Sequence, residues 1–429
     1  MRKREIGILE KYIMEYGDVI RFKVGPRSLY FLNHPDYVRH VLQSKFQNYS
    51  KETRAWHMLK VVLGPSVMIT TGEIWKKRRR LMQPLFNPPA IAQLFPMMNR
   101  VIEEMLEEFS QKTVKNQELE IRWEMMKVTL RVISETIMGR DVKGRVGEIG
   151  KALWTILEHI AESYMNLFNV PLYIPTPRNI KYRKALRVLN DIVLQFIAER
   201  RKSPDRPDDL LSRLIEATDP ETGYHLTDGE IRDEIMTMFL AGHETTASSI
   251  AWTWILLAQN PQVEEELFRE VNSQLQNWPP TKDDIIRLKY TIQVMEEALR
   301  LYPPVYIISR RAEKEDEMGG YRIPEKSTVF FSPYVLHQDP RFWEDPKEFN
   351  PDRFSPGNKA KIQPYTYVPF IEGPRKCLGY HFAMLESPLI LAAVARNFRL
   401  RLVPGQEVQP YFSVTLRPKS GIRMILEKR

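Results

Sequence analysis

Hydrophobic and polar positions alternate near both ends of the chain and recur every three to four residues through its middle. Asp18–Val24 and Ser28–Leu32 read as strands, and the intervening Gly25-Pro26 is a hairpin signal. Further strand-like runs are Val305–Ser309, Ser327–Tyr334, Leu400–Val403 and Gly421–Leu426, so β-rich portions are expected near residues 18–32, 305–335 and 400–427. The stretch from about residue 73 to 301 follows helical periodicity almost throughout, and 380–397 does so again. Strands drawn from both ends around a helical middle predict one mainly α domain over residues 1–429, with a small β region. No internal repeat interrupts it, and KSPDRP at Lys202–Pro207 reads as a surface loop.

The most informative predicted helix runs from Thr227 to Asn260. Thr227-Asp228-Gly229-Glu230 is a capping box, and Pro261 stops the helix. At this length it spans about 50 Å. Its middle is apolar on nearly every face, the mark of a helix buried throughout. Within that middle stands Ala241-Gly242-His243-Glu244-Thr245-Thr246. Gly, a carboxylate and two Thr are poor choices for a buried helix interior. A Thr hydroxyl can bond the carbonyl four residues back, and a loosened ladder often marks a functional site.

Composition narrows the possibilities. Apolar residues make up 43% and charged residues 27% of 429, which suits a folded chain with a large core rather than a disordered one. The net charge is +9 and the pI about 9.3, a balance that suits an anionic surface, nucleic acid or an acidic partner. Its densest block is Lys76-Lys77-Arg78-Arg79-Arg80. No stretch of about 18 apolar residues is present, so no membrane span is expected. The N-terminal MRKREIGILEKY is charged and its apolar run is too short for a signal peptide. The chain is expected to be soluble and intracellular, although an anchor removed from the N-terminus is compatible with this reading. A single cysteine, Cys377, excludes a disulfide framework and any multi-cysteine zinc or iron–sulfur site.

A lone cysteine is by default an inert buried residue, but its neighbourhood argues otherwise. Around it the chain reads Phe370-Ile-Glu-Gly373-Pro-Arg375-Lys-Cys377-Leu-Gly379, and the helical pattern from Tyr380 follows at once. Unpaired N–H groups and the positive end of a helix dipole favour a thiolate there, and Arg375 adds a cation. Gly373 and Gly379 let the backbone turn tightly and lie close to a flat ligand. FxxGxRxCxG ahead of a late helix resembles the haem-binding loop of the cytochrome P450 family.

Four further matches appear in that family's order. Glu297-Ala-Leu-Arg300 resembles ExxR; on a helix these two side chains share a face. Phe349-Asn-Pro351-Asp-Arg353-Phe354 supplies the second arginine that the family sets against the glutamate, in a network that holds the haem-side loop. Ala241–Thr246 resembles the oxygen-activation motif. The resemblance implies that Thr245 hydrogen-bonds the dioxygen being reduced, that Glu244 relays protons, and that His243 is not a ligand. Trp75 and Arg79 form WxxxR on one helix face and are implied to donate to haem propionates, with Phe370, Gly373, Arg375 and Gly379 around the cofactor. Pro303-Pro304-Val305-Tyr306-Ile307-Ile308-Ser309-Arg310 is a strand-like run in which Arg310, with Arg311 as close competitor, is implied to bind a propionate. Val305, Ile307 and Ala241 would then line the substrate pocket. His337 is expected to serve a structural hydrogen-bonding role.

The resemblance implies a mainly α fold with haem b (iron protoporphyrin IX) between the long helix and the cysteine-loop helix. It implies an axial Cys377 thiolate and insertion of one atom of dioxygen into a lipophilic small molecule, such as a fatty acid, terpenoid or steroid. The Glu52–Val67, Met165–Ile180 and Pro410–Val414 stretches would build the pocket. The chain leaves no room for a flavin or iron–sulfur domain, so electrons are expected from a separate ferredoxin or flavoprotein reductase. That partner would dock on the basic face near Lys76–Arg80 by charge steering. A haem-thiolate peroxygenase or isomerase is the alternative, which Glu244-Thr245 argues against. A haem sensor or carrier would need no proton relay. A nucleic-acid-binding protein would explain only the Lys76–Arg80 block.

Overall fold

A computed structural model describes residues 11–25, 27–115, 117–165, 170–204, 206–419 and 421–429. The charged stretch 1–10, Pro26 of the expected hairpin, Asp205 of the 202–207 loop and residues 166–169 of the expected pocket stretch lie outside the described residues.

In chain order the elements are α1 (described over 11–16), β1 (Val19–Val24), β2 (Arg27–Leu32), α2 (Pro35–Arg39), β3 (Tyr49–Ser50), α3 (Arg54–Leu63), α4 (Gly72–Met82), α5 (Pro88–Val114), β4 (Leu119–Glu120), α6 (Ile121–Met138) and α7 (Val146–Met165). There follow α8 (Pro177–Lys202), α9 (Leu210–Glu216), α10 (Asp228–Gln259), α11 (Pro261–Gln274), α12 (Lys282–Arg287), α13 (Lys289–Leu301), β5 (Ile308–Ala312), β6 (Asp316–Met318), β7 (Tyr321–Ile323) and β8 (Thr328–Phe331). The chain closes with α14 (Pro333–Leu336), α15 (Pro356–Lys359), α16 (Tyr380–Asn397), β9 (Phe398–Leu402), β10 (Pro410–Phe412), β11 (Leu416–Pro418) and β12 (Arg423–Lys428). The expected mainly helical fold with a small β region is what the chain adopts. Among the described residues no helix is long and apolar enough to cross a membrane.

Two compact units are present: one of Met1–Thr53, Ile102–Met125 and Thr245–Arg429, the other of Arg54–Val101 and Met126–Glu244. The boundaries after Val101, Met125 and Glu244 fall inside α5, α6 and α10, so these are not successive domains along the chain.

The first unit holds the sheets. Its main sheet runs β1-β2-β8-β5-β3. β1 and β2 pair antiparallel from Val19↔Leu32 to Val24↔Arg27, β2 and β8 run parallel, and β5 pairs antiparallel with both β8 and β3. Alternation along β5 buries Ile308, Arg310 and Ala312 on one face and turns Ser309 and Arg311 to the other. The buried face joins Tyr30, Leu32, Val38, Val41, Leu42, Tyr49, Val329 and Phe331 in one apolar cluster. Each such side chain, fully buried, contributes about 1.5–3 kcal/mol. α16 packs against α11, α12 and α13 in the same unit, and its last residues lead into β9 of a β4-β12-β9 sheet.

Two strand expectations need correction. The run Val305–Ser309 is extended only from Ile308, because its earlier polar groups are taken elsewhere. Pro304 O accepts from Leu416 N at 2.8 Å, and Tyr306 O accepts from Ser332 Oγ at 2.6 Å. The run Ser327–Tyr334 stops at Phe331, because Ser332 caps α14 by accepting from Val335 N at 3.3 Å. Regular helix also occurs before residue 73, in α1, α2 and α3.

The second unit is helical. α7 packs along α8, α3 rests on α7, and α9 on α8. Its charged anchors are buried and paired. Arg200 bridges Asp209 (2.5 Å), Ser212 Oγ (2.7 Å) and Met138 O (3.0 Å), tying α6, α8 and α9 together.

Candidate functional site

The first unit presents the cysteine loop. Its backbone is drawn tight: Cys377 N donates to Phe370 O at 2.9 Å, Lys376 N to Gly373 O at 3.0 Å, and Ile371 N to Val368 O at 3.1 Å. Ile371 and Gly373 sit at φ +60° and +79°, a left-handed pair that reverses the chain. The exposed thiol of Cys377 lies two residues ahead of Gly379, the N-cap of the 18-residue α16. Beside the N-terminus of such a helix an anion is favoured by about 0.3–1 kcal/mol. A Cβ on Gly379 would lie 3.9 Å from Cys377 Sγ, an ordinary contact distance that places this residue beside the thiol. Phe370 meets Tyr380 edge-on at 5.0 Å, closing the two ends of the loop.

The ExxR motif lies on α13, as its spacing predicts. Arg300 Nε and Nη2 donate to the two oxygens of Glu297, each at 2.7 Å. Arg300 also donates to the carbonyls of His337 (2.8 Å), Pro346 (2.7 Å) and Glu348 (3.0 Å). Arg353 Nε stands 3.4 Å from Glu297, and Asn350 N donates to it at 3.0 Å. Burial lifts the Glu297 carboxyl above its ordinary range despite Arg300 and Arg353. The two arginines and one glutamate thus meet as the sequence predicts.

His337 completes the scaffold. Its Nε2 accepts from Val368 N at 2.9 Å, which leaves the proton on Nδ1 to be donated to Arg300 O at 3.2 Å. Burial, with Arg300 nearby, pushes its pKa down to about 3, so the ring is neutral. Tyr367 adds a bond from its hydroxyl to Glu296 O at 3.0 Å. The stretch leading to Cys377 is therefore bolted to α13 by two adjacent residues, and the expected structural role of His337 is what its geometry provides.

Arg310 and Arg311 are separated by the strand's alternation. Arg311 pairs with Glu313 through Nε (3.1 Å) and Nη2 (3.0 Å). Arg310 lies on the buried face, and burial pushes its guanidinium down to about 10. Val305 and Ile307 are half-buried and pack on two different apolar clusters.

In the second unit Trp75 and Arg79 share α4, Trp75 buried and Arg79 half-buried. Arg78 turns inward from the basic block, donating to Glu234 and Glu230 at 3.0 Å each. α10 begins with the predicted capping box: Glu230 N donates to Thr227 Oγ1 at 3.3 Å and Thr227 N to Glu230 Oε2 at 2.9 Å. Further along, His243 is buried and its Nδ1 donates to Phe239 O at 2.5 Å, so its ring serves its own helix. Glu244 is buried, with Ala241 half-buried. A Cβ on Gly242 would meet Ile133 at 3.3 Å, and Thr129 Oγ1 of α6 donates to His243 O at 3.0 Å. Gly242 thereby admits α6 close to the α10 backbone, a packing reason that propensity alone did not supply. Thr245, the next residue of α10, belongs to the first unit; it is half-buried, and its carbonyl accepts from Ser249 Oγ at 2.9 Å.

The donor set speaks to the cofactor. Among the described residues no group of three or more His, Cys, Asp or Glu could hold a metal ion. An iron bound by Cys377 needs its remaining ligands from a prosthetic ring, and a buried cation such as Arg310 suits the carboxylates such a ring carries. The residues fit haem.

Comparison with known proteins agrees. The cytochrome P450 family model matches residues 3–426. The chain is 35% identical to cyclooctatin synthase of Streptomyces melanosporofaciens, over 96% of this chain and 89% of that protein. It is 32% identical to cyclooctat-9-en-7-ol 5-monooxygenase of the same organism (91% and 84%) and 30% identical to pentalenene oxygenase of Streptomyces avermitilis (96% and 91%). The heme domain of cytochrome P450DA superposes with a TM-score of 0.90 at 25% identity, covering 99% of this chain and 93% of that one. The chain therefore belongs to the cytochrome P450 family: it is a haem-dependent monooxygenase, which takes a substrate, dioxygen and electrons from a redox partner.

Proposed function

We propose that the chain, acting as one domain over residues 1–429, holds haem b through the Cys377 thiolate and hydroxylates or epoxidises a lipophilic terpenoid. The single observation that carries the ligand assignment is the chain's only thiol, exposed on a tightly bonded loop at the N-terminus of α16. The substrate class rests on relatives named for cyclooctatin, cyclooctat-9-en-7-ol and pentalenene. Haem, when bound, supplies the oxygen and electron chemistry.

The chain's own residues supply the rest. The α16 dipole and Arg375 favour the ionised thiolate. Arg310, Trp75 and Arg79 donate to the cofactor's carboxylates, Arg310 being preferred to Arg311 because the latter is committed to Glu313. Glu244 would take up a proton from solvent and return it to the Thr245 hydroxyl, which would donate its own proton towards dioxygen. Phe370, Gly373 and Gly379 would shape the loop that holds the cofactor, and Val305, Ile307 and Ala241 would contact substrate.

Purified protein, reduced under carbon monoxide, is expected to show the red-shifted Soret band of thiolate-ligated haem, and Cys377→Ala to lack it. A band at the position of histidine-ligated haem in the parent protein would overturn the assignment. Thr245→Ala is expected to divert electrons to peroxide; unchanged coupling to product would remove Thr245 from the relay. Full-rate turnover with peroxide alone would favour a peroxygenase. Among fatty acids, steroids and cyclic terpenoids, only the terpenoids are expected to give a low- to high-spin shift at micromolar concentration.

A further inference from the structure

The cysteine loop has a second support, on the side away from α13. After α2 the chain makes one π-helical turn, His40–Ser44, closed by Lys45 N donating to His40 O at 2.9 Å. Such wide turns are rare and cluster at functional sites. The backbone of this one lies against the loop: a Cβ on Gly373 would stand 2.3 Å from Leu42 O and 3.1 Å from Leu42 C. The neighbouring Gln43 accepts a hydrogen bond from the Tyr365 hydroxyl. Val41 and Leu42 share one apolar cluster with Val368 of the loop, against which Tyr365 and Ile371 pack. Gly373 is thus a glycine for a reason its motif does not contain: it is pressed on a carbonyl more than 300 residues away.

The turn is in turn fixed from β6 and β3. His40 Nε2 donates to Asp316 Oδ2 at 2.7 Å, and the Tyr49 hydroxyl donates to the same oxygen at 2.9 Å. Asp316 Oδ1 accepts from Glu317 N at 2.9 Å. The carboxylate is mostly buried, with the His40 ring about three-quarters so. Burial works against the ionised carboxylate, yet the bonds from His40, Tyr49 and Glu317 hold Asp316 below its ordinary range.

We infer that His40 and Asp316 are positioning residues for the haem thiolate: they fix the π-turn at 40–44, which buttresses the cysteine loop at Gly373 and Tyr365 and so holds Cys377 in its presented form. The inference rests on Cys377 as the axial ligand. It assigns a role to residues distant in sequence from Cys377, through a chain of contacts lying wholly within the first unit. Loss of groups bonded directly to a metal's ligands typically costs about 10–100-fold in metal affinity or activity, which sets the upper bound for these more distant partners.

The test uses holoprotein carrying His40→Ala, Asp316→Ala or His40→Gln, the last keeping a donor near the Nε2 position. Arg322→Ala, which removes an exposed ion pair to Glu315 on the same β6–β7 hairpin as Asp316, serves as the folding control. Two quantities are read: the share of the red-shifted Soret band in the carbon monoxide complex, and the rate of haem transfer to an excess of apomyoglobin. His40→Ala and Asp316→Ala are expected to convert part of the spectrum to the unshifted band and to speed haem loss about tenfold. His40→Gln should restore most of both, and Arg322→Ala should change neither. Wild-type spectra and haem-loss rates in both alanine variants, whatever their melting temperatures, would overturn the inference and leave the Cys377 assignment standing. An unshifted band in the parent protein would overturn that assignment instead. Should the alanine variants not bind haem at all, Tyr49→Phe, which deletes one bond to Asp316 without opening a cavity, gives the same reading: faster haem loss supports the inference and an unchanged rate overturns it.

Discussion

At the scale of single residues, the first unit contrasts a buried carboxylate that has many partners with a buried carboxyl group one of whose oxygens has none. Glu297 receives Arg300 in a two-point clasp, and removing one member of such a buried pair costs about 3–5 kcal/mol. Glu386, on α16, is fully buried, and its Oε1 has no hydrogen-bond partner. Burial raises its pKa well above the ordinary value, which favours the neutral acid in the fold. The unfolded chain ionises near 4.5 and releases a proton, so this group's contribution to stability falls as pH rises above that value. Glu386→Gln keeps the shape and removes the proton equilibrium. The variant is expected to melt at the same temperature as the parent at pH 4.5 and at a higher one at pH 8. A melting temperature lowered at pH 8 would mean that the carboxylate is ionised and paired. His337 carries the opposite sign. Its folded pKa of about 3 lies below its unfolded value near 6.5, so its stabilising contribution is complete above pH 6.5 and is lost as pH falls towards 3.

Elements show where sequence reasoning reached and where it stopped. The limits of α10 were readable because a capping box and a following proline are local chemistry, and both lie where expected. The start of β5 was not, because Pro304 and Tyr306 spend their carbonyls on Leu416 and Ser332, partners distant in the chain. Gly373 is the same case: its motif was plain, but the Leu42 carbonyl that demands a glycine left no mark nearby. Local signals fix element identity, whereas register and buttressing come from pairings that one sequence does not encode in its neighbours. The capping box itself permits a graded test. Thr227→Ala removes one acceptor and is expected to cost about 1 kcal/mol. Glu230→Ala should cost more, because Glu230 also receives Arg78 and the Tyr224 hydroxyl, and its loss leaves buried Arg78 with Glu234 alone. Melting temperatures should fall in that order. The reverse order would show that Glu230 acts only at the cap.

For the whole molecule, the net charge of +9 favours encounter with an acidic electron donor, and the block at 76–80 was the natural place to look. Its five cations are not equivalent. Arg78 is buried against Glu230 and Glu234, and Arg80 is held by Asp219 and Glu221. Lys77 rests its ammonium 3.2 Å from the centre of the Tyr224 ring, and Lys76 is exposed beside a still more exposed Glu73. An exposed pair of that kind contributes little to stability, so Lys76 can exchange its partner at small cost. Steering by such charges weakens as the Debye length shrinks from about 30 Å at 0.01 M salt to about 8 Å at 0.15 M. If the donor docks here, reduction by an acidic ferredoxin should slow over that salt range, and Lys76→Glu should raise the KM for ferredoxin without altering kcat at saturation. Arg80→Ala should instead lower the melting temperature, since it frees the Asp219 turn, and should shift the ferredoxin KM less than Lys76→Glu does. A Lys76→Glu variant with the parent's KM and the parent's salt dependence would place the docking surface elsewhere on this basic chain.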